Sequence, residues 1–206
     1  MKIPALYPIT SRSHTGLSHA EIIAELIKGG ATLIQLREKT ASPREFYKEA
    51  EEAVELAHRH NAKVIINDRV DIALAVGADG VHLGQDDLLP EHARRLMGDA
   101  AVIGYSTHSV EQAIAAAKLS LDYIAIGPIF QTNSKENPDP IVGLEMIRTI
   151  KSQIDKPLVA IGGITLETAS SVWSAGADSV AVISDLYAHG SIASRVKEFC
   201  VFSNGA

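Results

Sequence analysis

Eight short apolar segments recur along this 206-residue chain, and between them the pattern turns helical. The segments are 6–10 "LYPIT", 33–38 "LIQLRE", 63–68 "KVIIND", 80–84 "GVHLG", 102–106 "VIGYS", 123–129 "YIAIGPI", 158–164 "LVAIGGI" and 179–184 "SVAVIS". Several are apolar throughout, as expected of strands covered on both faces. The stretches between them carry helix signals. "SHAEIIAELIKGG" opens on Ser18 as an N-cap and stops at Gly29-Gly30. In the next, Ser42 is the N-cap, Pro43 the first helical residue and Glu45 the third, a capping-box pattern. Further helical patterns begin at Ser109, precede strands seven and eight, and close the chain within 192–202. Such alternation is the mark of parallel βαβ units. Eight units predict an α/β fold, a closed (β/α)8 TIM barrel forming a single domain over 1–206; an open doubly wound sheet is the other arrangement of the same units.

A weak internal repeat favours closure. "GGATLIQLR", "VGADGVHLG", "LSLDYIAIG" and "AGADSVAVIS" align at strands two, four, six and eight. Three of the four place an aspartate just before the strand: Asp79, Asp122 and Asp178. Any single copy also reads as a common helix-to-strand turn, but recurrence at alternate strands is what duplicated quarter-barrels would leave.

Composition narrows the function classes. A formal net charge of −6 argues against a general nucleic-acid binder, which needs a basic surface, though not against a local basic pocket. No apolar run approaches the ~20 residues of a membrane span. Cys200 is the one cysteine, so no intramolecular disulfide forms, and a reducing, cytoplasmic setting is expected. Pro4 and Pro8 interrupt what would be the apolar core of a signal peptide. Oligomeric state is left open, a homo-oligomer included.

Barrel chemistry sits at the C-terminal ends of the strands, and those ends are polar here. In order they supply Thr10 and Ser11; Gln35, Arg37 and Lys39; Asn67, Asp68 and Arg69; Gln85, Asp86 and Asp87; Ser106, Thr107 and His108; Thr132, Ser134 and Lys135; Gly162 and Gly163; and Ser184. Gln35, Arg37 and Lys39 share one face if strand two stays extended, because strand side chains alternate. The "IGGI" turn and Ser184 read as an anion cradle. Gly163 lets backbone N–H groups approach, and a helix starting near Thr165 adds its N-terminal field. Asp68 and Asp87 could both reach one divalent cation; Mg²⁺ takes one or two carboxylates plus substrate phosphate oxygens. The competing reading makes "NDR" and "DD" helix caps and surface ion pairs. Among the histidines, His58 and His60 are expected to face solvent, and His14, His19, His92 and His189 to sit in loops or at helix starts. His82 is expected in the core or against a helix, and His108 either in the site or capping the helix that follows.

With those residues in place, the chain resembles thiamine-phosphate synthases along nearly its whole length. The resemblance is carried by "LYPIT", "QLREK", "NDRVDIAL", "GADGVHLGQDD", "IGYSTHS", "DYIAIGPIFQTNSK", "VAIGGIT" and "AGADSVAVIS", in the family's order. It implies a TIM-barrel enzyme that joins a pyrimidine methyl diphosphate to a thiazole phosphate and releases pyrophosphate. Carried over by position, Gln35, Arg37, Lys39, Asn67, Ser106 and Lys135 would hold the pyrimidine diphosphate, with Arg37, Lys39, Ser106 and Lys135 as the catalytic set. Asp68 and Asp87 would ligate Mg²⁺, and Thr132, Ser134, Gly163, Ile183 and Ser184 would hold the thiazole phosphate. The family's chemistry ionises the diphosphate substrate and captures the pyrimidine-methyl cation on the thiazole nitrogen. That requires leaving-group stabilisation and alignment rather than a protein nucleophile.

Two positions depart from the family's usual pattern: Ser11 stands where Asp is common, and Ser134 where Thr is common. The loop "TNSKENPDP" is expected to act as a lid. A thiazole tautomerase-like relative would use His108 as acid–base and lack the metal and pyrophosphate residues, whereas Lys39, Asp68, Asp87 and Lys135 are all present. A phosphate-binding aldolase using Lys39 or Lys135 as a Schiff base, and a non-catalytic regulator that binds thiazole phosphate, are the remaining alternatives.

Overall fold

The computed structural model describes residues 2–132 and 140–203. Its strands are β1 (Leu6–Pro8), β2 (Leu33–Leu36), β3 (Lys63–Asn67), β4 (Gly80–Leu83), β5 (Val102–Thr107), β6 (Tyr123–Ile126), β7 (Leu158–Ile161) and β8 (Ser179–Val182). Its helices are α1 (Arg12–Thr15), α2 (His19–Lys28), α3 (Pro43–Arg59), α4 (Val70–Ala75), α5 (Pro90–Met97), α6 (Val110–Ala116), α7 (Gly143–Lys151), α8 (Leu166–Ser174) and α9 (Ile192–Ser203), with a 3₁₀ turn at Ser184–Leu186. All strand pairs are parallel; β2 to β8 follow chain order and β8 pairs with β1. The ring closes where Ile9 bridges Gln35 and the Thr10 N–H donates to the Gln35 carbonyl at 2.9 Å. This is the expected (β/α)8 barrel. Most strands end earlier than their apolar runs, because the backbone leaves the ladder to build the mouth. Among the described residues, no helix is long and apolar enough to cross a membrane.

Alternation along the strands makes two cores. Tyr7, Ile9, Leu33, Ile65, Val102, Tyr123, Ala125, Val159 and Ala181 fill the barrel interior. Leu6, Ile34, Leu36, Val64, Ile66, Val81, Leu83, Ile103, Ile124 and Ile126 face the helices. Both faces are dry, which is why the strands read as unbroken apolar runs. Gly104 belongs to the interior for a steric reason: a Cβ there would lie 2.0 Å from the Tyr123 ring.

Local signals act where they were read. Ser18 and Ser42 cap α2 and α3 in capping boxes with Glu21 and Glu45. Helices α4 and α5 have no such start: Arg69 and Leu89 stand at their N-caps without a side-chain cap bond. Both are short and rely on packing, although α5 does begin on Pro90, a favoured first helical residue.

The internal repeat has a structural cause. Asp79 accepts the Val64 N–H at 2.9 Å and returns its own N–H to the Val64 carbonyl at 3.0 Å. Asp122 does the same with Ile103, at 2.8 and 2.9 Å, and Asp178 with Leu158, at 2.7 and 2.9 Å. Each carboxylate also meets a basic group on the last helix but one before it: His58 of α3, Arg94 of α5 and Lys151 of α7. At β2 the copy has Thr32 instead, and only its carbonyl is used, accepting the Lys63 N–H at 2.9 Å. The three aspartates are therefore clamps between neighbouring strands at the N-terminal end of the barrel, where stability rather than chemistry is built. Replacing Asp122 by Ala leaves the Ile103 N–H and the Arg94 guanidinium without this partner. Urea unfolding should show a loss of about 1–3 kcal/mol, with turnover per folded molecule unchanged.

Candidate active site

A cavity of about 650 Å³ opens at the C-terminal ends of the strands. Gln35, Arg37, Lys39, Asn67, Asp68, Asp87, Ser106, Thr132, Gly163, Ile183 and Ser184 all line it. Ser134, Lys135 and most of the "TNSKENPDP" segment lie outside the described residues. Ser11 is not among the lining residues; its hydroxyl turns to His14 Nδ1, 2.8 Å away, in its own loop.

The arm after β2 brings two cations to the mouth. The Arg37 N–H donates to Thr10 Oγ1 at 3.1 Å, so the seam of the barrel also fixes this arm. Burial lowers the Arg37 pKa, and the charges of Asp68 and Glu38 oppose that shift. Lys39 forms a close ion pair with Asp68. Glu38, between them in sequence, turns away. Burial works against its charge, yet donors from Thr40 and Ala41 bring its carboxyl down to about 2.

Glu38 belongs to a cluster around a buried histidine that sequence reading did not find. His19, expected at a helix start, does begin α2 but is 0% exposed. Its Nδ1 lies 2.9 Å from Thr10 Oγ1, and its Nε2 lies 3.4 Å from Glu38 and 3.9 Å from Glu49. Arg12 joins both glutamates, at 3.6 and 2.8 Å. Burial depresses the His19 pKa to about 4, against the pull of Glu38. Nothing in the local pattern marks His19 as buried; the packing of α2, α3 and the β2 arm does that.

Two carboxylates meet on the next side of the mouth. Asp68 adopts a left-handed backbone, φ 62°, with its N–H on the His82 carbonyl at 2.8 Å. A non-glycine residue held there is strained, and such strain collects at functional sites. Asp87 accepts the Gly84 N–H at 2.6 Å. Burial raises the Asp87 pKa; the Gly84 N–H pulls it down, the adjoining Asp68 carboxylate raises it further, and Lys39 opposes. The like-charged pair in contact is thus Asp68 with Asp87, whereas Asp86 stays exposed at the rim. Beside them Asn67 is 6% exposed, and its Nδ2 finds no hydrogen-bond partner among the described residues. A buried donor without a partner on a cavity wall is one that a ligand can satisfy.

At β5, Ser106 Oγ lies 2.8 Å from His82 Nε2. His82 points into the barrel rather than toward a helix. His108 lines the cavity with its Nδ1 2.7 Å from the Gly127 carbonyl, which makes that nitrogen the protonated one. Its side chain does not cap α6; Ser109 does, accepting the Gln112 N–H at 3.2 Å.

The far wall is the glycine turn. Gly162 and Gly163 have φ of 100° and 63°, conformations that a side chain rarely adopts. At Gly163 a Cβ would lie 2.3 Å from the Gln131 carbonyl, so the glycine admits the loop after β6. Helix α8 starts directly behind, with the Thr165 N–H held by Thr168 Oγ1 at 2.9 Å. Ser184 opens the 3₁₀ turn, and the next residue anchors it. Asp185 receives a two-pronged ion pair from Arg195 of α9, at 2.9 and 3.0 Å, with both side chains under a tenth exposed. Arg195 also reaches Glu167 of α8 at 3.2 Å. The two loops of this wall are therefore tied together from behind, a contact that the sequence pattern did not mark.

A (β/α)8 barrel with a cationic arm, paired carboxylates and a glycine-lined wall at the catalytic end defines a barrel enzyme for phosphorylated ligands. The profile of the thiamine monophosphate synthase family matches residues 6–186, and the chain belongs to that family. The thiamine-phosphate synthase of Koribacter versatilis is 49% identical over 193 residues, covering 90% of each chain. That of Clostridium novyi is 49% identical over 180 residues, covering 87% of this chain and 88% of its own. The solved thiamine phosphate pyrophosphorylase of Pyrococcus furiosus superposes with a TM-score of 0.88 at 36% identity, covering 97% of this chain and 95% of that one. Family, relatives and structural neighbour agree on thiamine-phosphate synthase, a transferase.

The His19 cluster gives the protein an acid-sensitive prop under the Arg37 arm. A histidine whose folded pKa is depressed from the usual 6.5 to about 4 stabilises fully above the upper value. That stability is lost as pH falls through the window between the two, by up to about 3 kcal/mol. Denaturant unfolding of His19→Gln between pH 7 and pH 4 should show a flatter fall in stability than the parent protein.

Proposed function

We propose that the protein joins 4-amino-2-methyl-5-(diphosphooxymethyl)pyrimidine to 4-methyl-5-(2-phosphooxyethyl)thiazole, or to its carboxylated form, giving thiamine phosphate and pyrophosphate, and CO2 as well from the carboxylated form, in thiamine biosynthesis. The observation that carries this reading is a single mouth lined by two chemically different sets of residues. Arg37, Lys39 and Asn67 converge on one side with Asp68 and Asp87, and Gly163, Ile183 and Ser184 lie on the other. The first side suits a diphosphate and the second a phosphate monoester.

The donor set fits Mg²⁺. Among the described residues no group of three or more His, Cys, Asp or Glu could hold a metal, which disfavours a cage built from protein alone. Two touching carboxylates next to phosphate-binding cations match a cation that takes one or two carboxylates and completes its shell with phosphate oxygens and water. Asp68 and Asp87 would hold it, and when bound it supplies charge neutralisation for the diphosphate as that group leaves.

The rest is done by the chain's own residues. Arg37 and Lys39, together with Lys135, neutralise the diphosphate as the bond from the pyrimidine methylene carbon to oxygen breaks. Lys39 is paired with Asp68, the arrangement of a charge donor rather than of an amine nucleophile. Asn67 and Ser106 donate to the same ligand. Gln35, buried on the interior wall, holds the pyrimidine. Thr132, Ser134, Gly163, Ile183 and Ser184 hold the thiazole phosphate so that the ring nitrogen faces the methylene carbon, and the new C–N bond forms there. Alignment of two bound partners supplies much of the acceleration, and no step needs a protein nucleophile.

Incubating purified protein with both phosphorylated substrates and Mg²⁺ should yield thiamine phosphate by chromatography, and removing Mg²⁺ should suppress it. Absence of product under both conditions overturns the reading. Asp87→Ala and Lys135→Ala should each lower kcat by about 100-fold or more, while Asp86→Ala should change it by less than about threefold.

A further inference from the structure

We propose that His82 is a positioning residue that sets the Ser106 hydroxyl as a hydrogen-bond donor toward the ligand. The inference rests on the synthase reading for the identity of that ligand. A run of hydrogen bonds crosses the barrel interior. Gln35 Nε2 donates to the Tyr7 oxygen at 3.3 Å, and Tyr7 and Tyr123 oxygens lie 2.9 Å apart. The Tyr123 oxygen is 2.9 Å from His82 Nδ1, and His82 Nε2 is 2.8 Å from Ser106 Oγ. The two ends, Gln35 and Ser106, both line the cavity, three strands apart.

Proton accounting gives the run a direction. Tyr7 and Tyr123 are 1% and 0% exposed, and each hydroxyl has one proton to give. With Gln35 donating to it, Tyr7 passes its own proton to Tyr123. Tyr123 then gives its proton to His82 Nδ1, which places the imidazole proton on Nε2. Ser106 Oγ accepts that proton, and its own hydroxyl proton points at an acceptor in the cavity. A phosphate oxygen is such an acceptor. In the opposite tautomer Ser106 would spend its proton on His82 and turn lone pairs toward an anion. The rings hold the geometry: Tyr7 meets Tyr123 edge-on at 5.7 Å and 88°, and His82 stacks on Tyr123 at 5.5 Å and 19°.

Nitrogen-15 NMR of the histidine-labelled full chain without substrate reads the tautomer directly, His82 being assigned by its loss in His82→Gln. The expected form carries its proton on Nε2; a proton on Nδ1 overturns the proposal. Kinetically, His82→Leu should lower kcat/KM for the pyrimidine diphosphate about tenfold and leave KM for the thiazole phosphate unchanged. His82→Gln, which keeps an N–H within reach of Ser106, should recover most of the loss. In a Ser106→Ala background His82→Leu should add less than about twofold. Full additivity, or full activity in His82→Leu, overturns the proposal. If His82→Leu fails to fold, Tyr123→Phe removes only the hydroxyl and should show the same non-additivity with Ser106→Ala. Wild-type protein that makes no thiamine phosphate overturns the synthase reading instead, and the tautomer still judges the hydrogen-bond run.

Discussion

One hydrogen bond stands where the ring of strands closes, from the Thr10 N–H to the Gln35 carbonyl at 2.9 Å. A parallel sheet that stopped there would expose two edges and would have no mouth. The same threonine does more than close the ring. Its hydroxyl oxygen accepts the Arg37 N–H and meets His19, so the seam carries the cationic arm of the site. Closure and the placement of Arg37 are thus one construction, and the cluster of buried His19 with Glu38, Glu49 and Arg12 is its foundation.

The two ends of the barrel use carboxylates in opposite ways. At the N-terminal end, Asp79, Asp122 and Asp178 are each matched by a backbone N–H and a basic side chain. Their charge is satisfied within the protein, and they hold strands together. At the C-terminal end, Asp68 and Asp87 touch each other, and Asp87 resists ionisation. Lys39 pairs with Asp68, yet one lysine faces two carboxylates in contact, and Asp68 is held at φ 62°. The chemistry assigned to the mouth follows from that imbalance, together with the cations of the β2 arm and the cavity-facing Asn67 donor.

Much of this was legible in the sequence because it is periodic or local. The apolar runs located every strand, since both strand faces are dry. The N-cap at Ser18 and the capping-box pattern at Ser42 located two helix starts to the residue. The strand-end rule collected fifteen residues that do line one cavity, from Gln35 to Ser184. Helices α4 and α5, which carry no side-chain cap bond, were implied only by the alternation, and their bounds came from the structure. The face of His82 was left undecided and the burial of His19 went unread for a related reason. A strand pattern tells which residues share a face but not which of two dry faces holds a polar group, and a helix start tells nothing about what packs over it.

The sequence by itself determined the eightfold strand–helix alternation, the quarter-barrel repeat and the set of polar residues available at the strand ends. These depend on neighbours a few residues apart, where period and cap chemistry are decisive. Tertiary structure alone decided how those residues pair. It set Asp87 against Asp68 rather than against its neighbour Asp86. It linked Gln35 to Ser106 through two tyrosines and a histidine, and it tied Ser184 to the α8 side of the mouth through Asp185 and Arg195. Each such contact joins residues that closing the barrel brings together, and no local pattern in the chain records which of them will meet.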